Sequence, residues 1–233
     1  MFTTFITGAN RGIGLAFTRE YLARGGRVFA ACRAPAEAAR LHPLKTTYGG
    51  RLTLVPLDVT DSKSIEAAAE QVQRETDALD LLINNAGVFF PSAGFADLNP
   101  ESLGQSFAVN STAPMMVSQK LMPLLQKSAS PKIVNITAPT RPIAQLQRTE
   151  NHSYTASRYA LNAMTKMLSL ELRSLGVIVV ALWPGYLRTD MNNMAGDAAP
   201  PEEAIPQVVN LIQSLNWEHT GCCLLPDGKI FDW

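Results

Sequence analysis

A glycine-rich segment near the start of the chain has the composition of an anion-binding turn. It reads Thr7-Gly8-Ala9-Asn10-Arg11-Gly12-Ile13-Gly14, between an apolar run and a segment of helical period. Without Cβ atoms, such a turn lets a pyrophosphate approach backbone N–H groups at the positive end of the helix. A glycine triplet alone can also be a tight turn, but its position between a strand and a helix favours a nucleotide site. We therefore expect a dinucleotide cofactor to bind here.

The end of the second predicted strand indicates which nucleotide is bound. An acidic residue there would bind the ribose 2′-OH of NAD(H), but the segment reads Ala30-Ala31-Cys32-Arg33. Arg33, helped by Arg11 in the turn, could make charge-assisted hydrogen bonds to a 2′-phosphate. The alternative is that both arginines are ordinary surface charges. The sequence favours NADP(H) over NAD(H).

The elements that must position these residues alternate along the chain. Short apolar runs without polar alternation are separated by longer segments of helical period, which is typical of a parallel sheet covered on both faces. We predict an α/β fold, a doubly wound (Rossmann) three-layer sandwich with a central parallel sheet of about seven strands, as one domain over residues 1–233. The predicted strands are residues 2–7, 28–32, 52–57, 79–84, 132–137, 177–183 and 222–225. The predicted helices are residues 13–24, 34–46, 62–76, 100–127, 153–174 and 201–215, and Asp61 and Ser62 are the predicted caps of the third. Residues 192–203 are predicted to be a mobile loop over a site.

Composition excludes several classes of protein. The chain has 20 basic and 20 acidic side chains in 233 residues, so it has no surplus charge for gripping a nucleic acid. Its first residues show no signal peptide, and no apolar run approaches the roughly 20 residues needed to span a bilayer. Three cysteines, two of them adjacent, suit neither a disulfide framework nor a zinc site. We expect a cytoplasmic protein without a metal site, a nucleic acid partner or a membrane partner.

Further motifs follow the glycine-rich turn in a fixed order. They are Leu57-Asp58-Val59, Asn84-Asn85-Ala86-Gly87, Val109-Asn110, Tyr154-Thr155-Ala156-Ser157-Arg158 and Pro184-Gly185 with Thr189. Together with the spacing of Gly8, Gly12 and Gly14, the set resembles the short-chain dehydrogenase/reductase family of the classical type, over essentially the whole chain. Within that family the segments 31–33, 183–191 and 225–233 are most similar to the C-factor-like and carbonyl-reductase-like branch.

The resemblance implies a set of cofactor-binding residues and a catalytic tyrosine. Tyr154 would be the acid, and Asn110 matches the asparagine that supports a lysine in the family. That lysine, four residues after the tyrosine, makes the phenolate accessible and holds the ribose. The cofactor-binding set is Gly8, Asn10, Arg11, Gly12, Ile13, Gly14, Arg33, Asp58, Val59, Asn85, Ala86, Gly87, Asn110, Tyr154, Arg158, Pro184, Gly185, Leu187 and Thr189.

Two positions depart from the family pattern. The lysine is replaced by Arg158, which keeps the positive charge but is planar, bulkier and permanently protonated. The catalytic serine is replaced by Ala138, which cannot donate a hydrogen bond to a carbonyl oxygen, and losing one such donor typically costs about a hundredfold to a thousandfold in rate. Thr137 and Thr140 are the nearest hydroxyls in the sequence.

The resemblance and its departures leave two functions open. The first is an NADPH-dependent oxidoreductase that reduces a small carbonyl compound, or oxidises an alcohol, with Tyr154 as acid/base and Arg158 as its electrostatic partner. The second is a catalytically impaired NADP(H)-binding sensor or signalling protein. A dehalogenase similar to the halohydrin dehalogenases, which also carry a Tyr-xxx-Arg arrangement, is a distant third. The family's long helices, here residues 108–127 and 154–174, often pair subunits, so a homodimer or homotetramer is expected.

Overall fold

Seven parallel strands form one sheet in the computed structural model, which describes residues 1–140, 142–147, 151–192 and 194–232. The strands are β1 Thr3–Thr7, β2 Arg27–Cys32, β3 Leu52–Pro56, β4 Leu81–Asn84, β5 Lys132–Ile136, β6 Ile178–Leu182 and β7 Cys223–Leu224. Their order across the sheet is β3-β2-β1-β4-β5-β6-β7. The direction of winding reverses between β1 and β4, and in sheets of this type ligands bind at the carboxyl ends of the strands beside that reversal. The predicted doubly wound α/β fold is confirmed.

Seven α-helices cover the two faces of the sheet. They are α1 Gly12–Ala23, α2 His42–Tyr48, α3 Ser62–Glu75, α4 Pro100–Phe107, α5 Ala113–Leu125, α6 His152–Glu171 and α7 Pro201–Ser214. Alternate strand residues enter two apolar clusters, so that Ile6 packs with α1 and α7 whereas Phe5 packs with α3 and α5. Burial of both faces explains why the strand sequences lack polar alternation. No helix in the described ranges is long and apolar enough to cross a membrane.

The predicted helix at residues 34–46 is wrong as a continuous element. A short 3-10 turn, Pro35–Glu37, is followed by a break, and α2 begins only at His42. Pro43 occupies the first turn of α2. Its ring and missing N–H prevent a helix from continuing through it from the preceding residues.

The predicted helix at residues 100–127 is interrupted by a π turn, Ala108–Thr112, in which the N–H of Ala113 bonds to the carbonyl of Ala108. Pro114 follows at the start of α5 and has no N–H to donate to the carbonyl of Asn110. The ladder therefore widens at Asn110, and π turns of this kind are frequent at functional sites.

The structure agrees with the predicted cap of α3 and shortens the predicted loop at residues 192–203. Asp61 caps α3 as predicted, since its side chain accepts a hydrogen bond of 3.0 Å from the N–H of Lys63. The predicted loop at residues 192–203 ends early because α7 begins at Pro201. Arg188, which precedes this loop, donates from Nη2 to two carbonyls in it, those of Gly196 and Ala198. Asn193 lies outside the described residues.

Candidate functional site

The glycine-rich turn lies at the carboxyl end of β1 and enters α1, as predicted. Gly8 and Gly12 have positive φ angles of 65° and 50°. A Cβ atom on Gly14 would lie 2.3 Å from the carbonyl oxygen of Gly8, so only glycine allows this close packing. No side chain caps the amino end of α1, at Arg11. The free N–H groups of its first turn form a cradle that fits a pyrophosphate, with Asn10 and Ile13 inside the same turn.

A reciprocal set of hydrogen bonds joins this turn to the end of β4. Thr7 Oγ1 accepts from the N–H groups of Asn85 and Ala86, at 2.9 and 3.0 Å. Asn85 Nδ2 donates to the carbonyls of Thr7 and Gly8, at 2.9 and 3.2 Å. Because β1 and β4 are neighbours at the reversal of the sheet, these bonds hold Asn85 and Ala86 against the cradle.

Arg33 and Asp58 follow the next two strands, β2 and β3. Arg33 is exposed at the carboxyl end of β2. Hydrogen bonds from the hydroxyl and the N–H of Thr60 lower the pKa of Asp58, burial opposes them, and the charge of Arg33 adds to the lowering. Val59 is half-buried beside Asp58. The sheet thus places a cation and a carboxylate on the side of the cradle where β2 and β3 end.

Arg11 pairs with a carboxylate instead of standing free beside Arg33. Its Nη1 atom lies 3.4 Å from Asp190 Oδ2, and both side chains are about half exposed. An exposed pair of this kind contributes little to stability and can exchange partners. The pair connects the cradle to the segment after β6.

Four predicted residues follow β6, and the last of them, Thr189, packs on the cradle. Pro184 and Leu187 are buried and Gly185 has a φ of 102°. The N–H of Thr189 donates to Asn192 Oδ1 at 2.9 Å. A Cβ on Gly12 would lie 3.2 Å from Thr189 Cγ2, which shows how closely this segment packs on the turn.

Tyr154 and Arg158 share one face of α6, as their spacing predicts. Arg158 is 5% exposed, and its Nη1 atom donates to the carbonyl of Ile136 at 3.0 Å. Its guanidinium carbon lies 4.9 Å from the centre of the Tyr154 ring, and the ring of Phe89 meets Tyr154 edge to face at 5.2 Å. Within the described part of the chain no carboxylate forms an ion pair with Arg158. Among the described residues, therefore, the positive charge of Arg158 lies against the face of the tyrosine without a carboxylate partner.

Asn110 and Gly87 complete the surroundings of Arg158. A Cβ on Gly87 would lie 2.8 Å from Arg158 Nη2 and 3.3 Å from Asn110 Oδ1. Asn110, in the π turn, exchanges hydrogen bonds with the backbone of Val88 and donates to Ser157 Oγ at 3.0 Å. Asn110 thereby fixes the segment after β4 against α6.

A cavity of about 610 Å³ opens beside Tyr154. Ala138 lies in its wall where the resemblance implies a serine, and Arg158 is the charged residue of the lining within the described ranges. The other lining residues are Phe89, Pro139, Thr140, Gln145, Leu146, Gln147, Asn151, Tyr154, Thr155 and Tyr159. The cavity has the size of a small-molecule site, and its wall is mainly uncharged.

Residues that the sequence analysis did not select also shape the cavity. Asn162 is buried on α6 and hydrogen-bonds to both Thr137 and Thr140. Asn151 exchanges hydrogen bonds with the backbone of Ser92 and so ties the segment after β4 to the start of α6. The sequence could have indicated Asn162, because polar residues recur every four positions at Tyr154, Arg158 and Asn162 and so share one face of a helix.

The chain resembles known proteins both in sequence and in fold. The family model described as short chain dehydrogenase matches residues 3–199. A short-chain dehydrogenase of Pyricularia oryzae is 30% identical over 99% of this chain and 98% of its own length.

Two solved structures resemble the fold along its whole length. The NADPH-bound carbonyl reductase from chicken fatty liver superposes with a TM-score of 0.90 and 33% identity, covering 99% of this chain and 98% of that one. The carbonyl reductase Sniffer of D. melanogaster has a TM-score of 0.94 and 26% identity, with all of both chains covered.

Proposed function

The chain belongs to the short-chain dehydrogenase family of oxidoreductases, enzymes that bind a nicotinamide cofactor, and we propose that it is an NADP(H)-dependent reductase of small carbonyl compounds. The reverse reaction, oxidation of the corresponding alcohol, uses the same groups. The observation that supports this most directly is the guanidinium of Arg158, 4.9 Å from the centre of the Tyr154 ring at the wall of a cavity.

The cofactor is proposed to bind along the carboxyl edge of the sheet. The turn from Gly8 to Gly14 would hold its pyrophosphate, because a cradle without Cβ atoms and an uncapped helix end suit a dianionic group. Asp58 and Val59 would flank the adenine, Asn85, Ala86 and Gly87 the adenosine ribose, and Pro184, Gly185, Leu187 and Thr189 the nicotinamide end. When bound, the nicotinamide supplies the hydride that reduces the carbonyl carbon.

Preference for the phosphorylated cofactor is proposed from Arg33. Its side chain is exposed at the end of β2, where a 2′-phosphate would lie, and no acidic residue occupies that strand end. Arg11 can add a second positive charge if its exposed pair with Asp190 opens. The carbonyl reductase from chicken fatty liver, which is similar over the whole chain, was solved with NADPH bound.

Proton transfer is proposed to come from the Tyr154 hydroxyl. In the proposed step the proton leaves the hydroxyl for the carbonyl oxygen, and the buried guanidinium of Arg158, 4.9 Å from the centre of the ring, attracts the negative charge that develops there. The hydrogen bond from Arg158 to the carbonyl of Ile136 holds the guanidinium in place. Asn110 and Ser157 fix the neighbouring backbone, since Ser157 Oγ accepts from Asn110 and donates to the carbonyl of Tyr154.

The test is NADPH oxidation, followed at steady state, against benzaldehyde, acetophenone, cyclohexanone and 2,3-butanedione. We expect turnover with at least one of them, and a loss of about a hundredfold or more in Tyr154→Phe, the range that a general acid contributes. NADPH affinity, measured by fluorescence, should stay within about threefold of the wild type because the phenyl ring remains. Undiminished turnover in Tyr154→Phe would contradict the proposed mechanism. Tight NADPH binding without turnover would instead indicate the sensor or signalling function.

Assembly completes the proposal. Four apolar side chains are exposed on α4, α5 and α6, which supports pairing of two copies through these helices: Phe107, Met116, Met167 and Leu170. Light scattering across a concentration series tests it, with Met167→Glu expected to shift the mass toward the monomer.

A further inference from the structure

Three polar side chains form a hydrogen-bonded row beneath the cavity wall. Thr137 Oγ1 donates to Asn162 Oδ1 at 2.7 Å, and Asn162 Nδ2 donates to Thr140 Oγ1. All three residues are at least nine-tenths buried. The row runs from the end of β5, through α6, back to the segment after Ala138.

The row leaves the proton of the Thr140 hydroxyl free to be donated. A threonine hydroxyl has one proton and accepts through its lone pairs. Because Thr137 gives its proton to the amide oxygen, the amide nitrogen of Asn162 faces Thr140 as a donor. Thr140 Oγ1 is then an acceptor, and its own proton has no acceptor within the described residues. This hydroxyl, at the wall of the cavity, therefore keeps a proton that it can donate.

A tight turn places that donor beside the position where the family's serine is missing. The N–H of Thr140 bonds to the carbonyl of Ala138 at 2.8 Å, which folds the chain around Pro139. Ala138, Thr140 and Tyr154 line the same cavity. Reduction of a carbonyl needs a hydrogen bond to the oxygen as charge develops on it, and Ala138 cannot supply one.

We propose that Thr140 is the catalytic residue that donates to the substrate carbonyl oxygen, and that Asn162 is its positioning residue. This inference rests on the proposed carbonyl reduction. The Thr140 hydroxyl and Tyr154 would bind the same oxygen: the first stabilises the developing negative charge, and the second transfers a proton to it. No proton leaves Thr140 in the reaction.

The experiment compares Thr140→Val, which keeps the shape and removes the hydroxyl, with Thr140→Ser, which keeps the hydroxyl. In the NADPH assay with the four carbonyl compounds above, Thr140→Val should lose about a hundredfold in kcat/KM. Thr140→Ser should stay within about tenfold of the wild type, and adding Ala138→Ser to Thr140→Val should recover at least about tenfold. Thr47→Val, an exposed threonine of α2, is the control for the substitution itself.

Asn162→Leu tests the positioning role by non-additivity. It should lower kcat in the wild type but cost nothing further when Thr140 is already valine, a pattern that general loosening of the fold would not give. NADPH affinity and the circular dichroism spectrum identify variants that fail to fold. If Thr140→Val does not fold, Thr140→Ala is compared with Thr140→Ser in the same assay.

Each outcome decides the proposal. Wild-type turnover in Thr140→Val, or in the substitute Thr140→Ala, together with a loss in Tyr154→Phe, overturns the role of Thr140 and leaves carbonyl reduction standing. Wild-type turnover in both the threonine variant and Tyr154→Phe, or a wild type that reduces none of the four compounds, overturns both. Loss in the threonine variant and in Tyr154→Phe, with Thr140→Ser active, supports both.

Discussion

Arg158 holds its guanidinium 4.9 Å from the centre of the Tyr154 ring and anchors it by a 3.0 Å hydrogen bond to the carbonyl of Ile136. A cation over an aromatic face is attracted to the ring, and burial strengthens this attraction. The charge therefore reaches the tyrosine through the face of its ring. This geometry makes the charge of residue 158 the quantity to test.

Arg158→Met, which removes the charge and keeps a long side chain, should lower kcat/KM about tenfold or more, because the cation attracts the negative charge that develops on Tyr154 as its proton leaves, an interaction made only in the transition state. Arg158→Lys keeps the charge and should stay within about tenfold of the wild type. The measurement is kcat/KM as a function of pH with whichever carbonyl compound the wild type reduces. Equal profiles for the wild type and Arg158→Met would show that the charge has no role.

Gly87→Ala should displace Arg158, because the new Cβ would lie 2.8 Å from Nη2. We expect kcat to fall about tenfold and the free energy of unfolding to fall by about 1 to 3 kcal/mol, the usual cost of overpacking. Gly94→Ala is the matched control, since a Cβ there meets nothing within 4 Å. Kinetics and urea denaturation measure the two effects. If both variants behave alike, Gly87 does not constrain the guanidinium.

Gly14→Ala should abolish cofactor binding and lower stability by about 3 kcal/mol, since its Cβ would lie 2.3 Å from a backbone oxygen that cannot move cheaply. Gly104→Ala, in α4 with open space around it, should instead raise stability by up to about 1 kcal/mol. Calorimetric titration with NADPH and thermal denaturation check the pair. If Gly14→Ala binds NADPH as tightly as the wild type, the glycine-rich turn is not part of the cofactor site.

Arg33→Asp should reduce the preference for NADPH over NADH by about tenfold to a hundredfold. A hydrogen bond to a charged group contributes about 1.5 to 3 kcal/mol, and a new carboxylate repels the 2′-phosphate as well. Arg40→Asp makes the same charge change at another exposed arginine and should leave the ratio unchanged. Dissociation constants for both cofactors give the ratio. A ratio that stays constant in Arg33→Asp would refute the role of this arginine.

Thr60→Ala should raise the pKa of Asp58, because the hydroxyl of Thr60 is the largest cause of its lowering. A carboxyl with a lowered folded-state pKa adds stability above its unfolded pKa of about 3.9 and loses it as pH falls through the folded value. The variant should therefore be less stable than the wild type at pH 6, and the difference should shrink below about pH 3. NMR titration of the Asp58 carboxyl measures the shift, and an unchanged titration would exclude the Thr60 hydroxyl as its cause.

The sequence predicted those parts that follow from local pattern. Buried apolar runs predicted the strands, and the turn from Gly8 to Gly14 predicted the cradle, because glycine spacing depends on the backbone alone. The break before Pro43 and the π turn at Asn110 were missed, although each lies beside a proline. The row formed by Thr137, Asn162 and Thr140 was also missed, because it joins a strand end to a helix 25 residues away. Contacts of that kind depend on packing that a single sequence does not display.

The order of the strands divides the candidate site between two parts of the sheet, which meet at the segment after β4. The cradle, Arg33 and Asp58 follow β1, β2 and β3, whereas Ala138 and the segment after it follow β5, and Tyr154 and Arg158 lie on the helix beyond. A substitution in one region therefore need not disturb the backbone of the other. Side chains such as those at positions 138 and 158 can thus change while the backbone of the glycine-rich turn stays as it is.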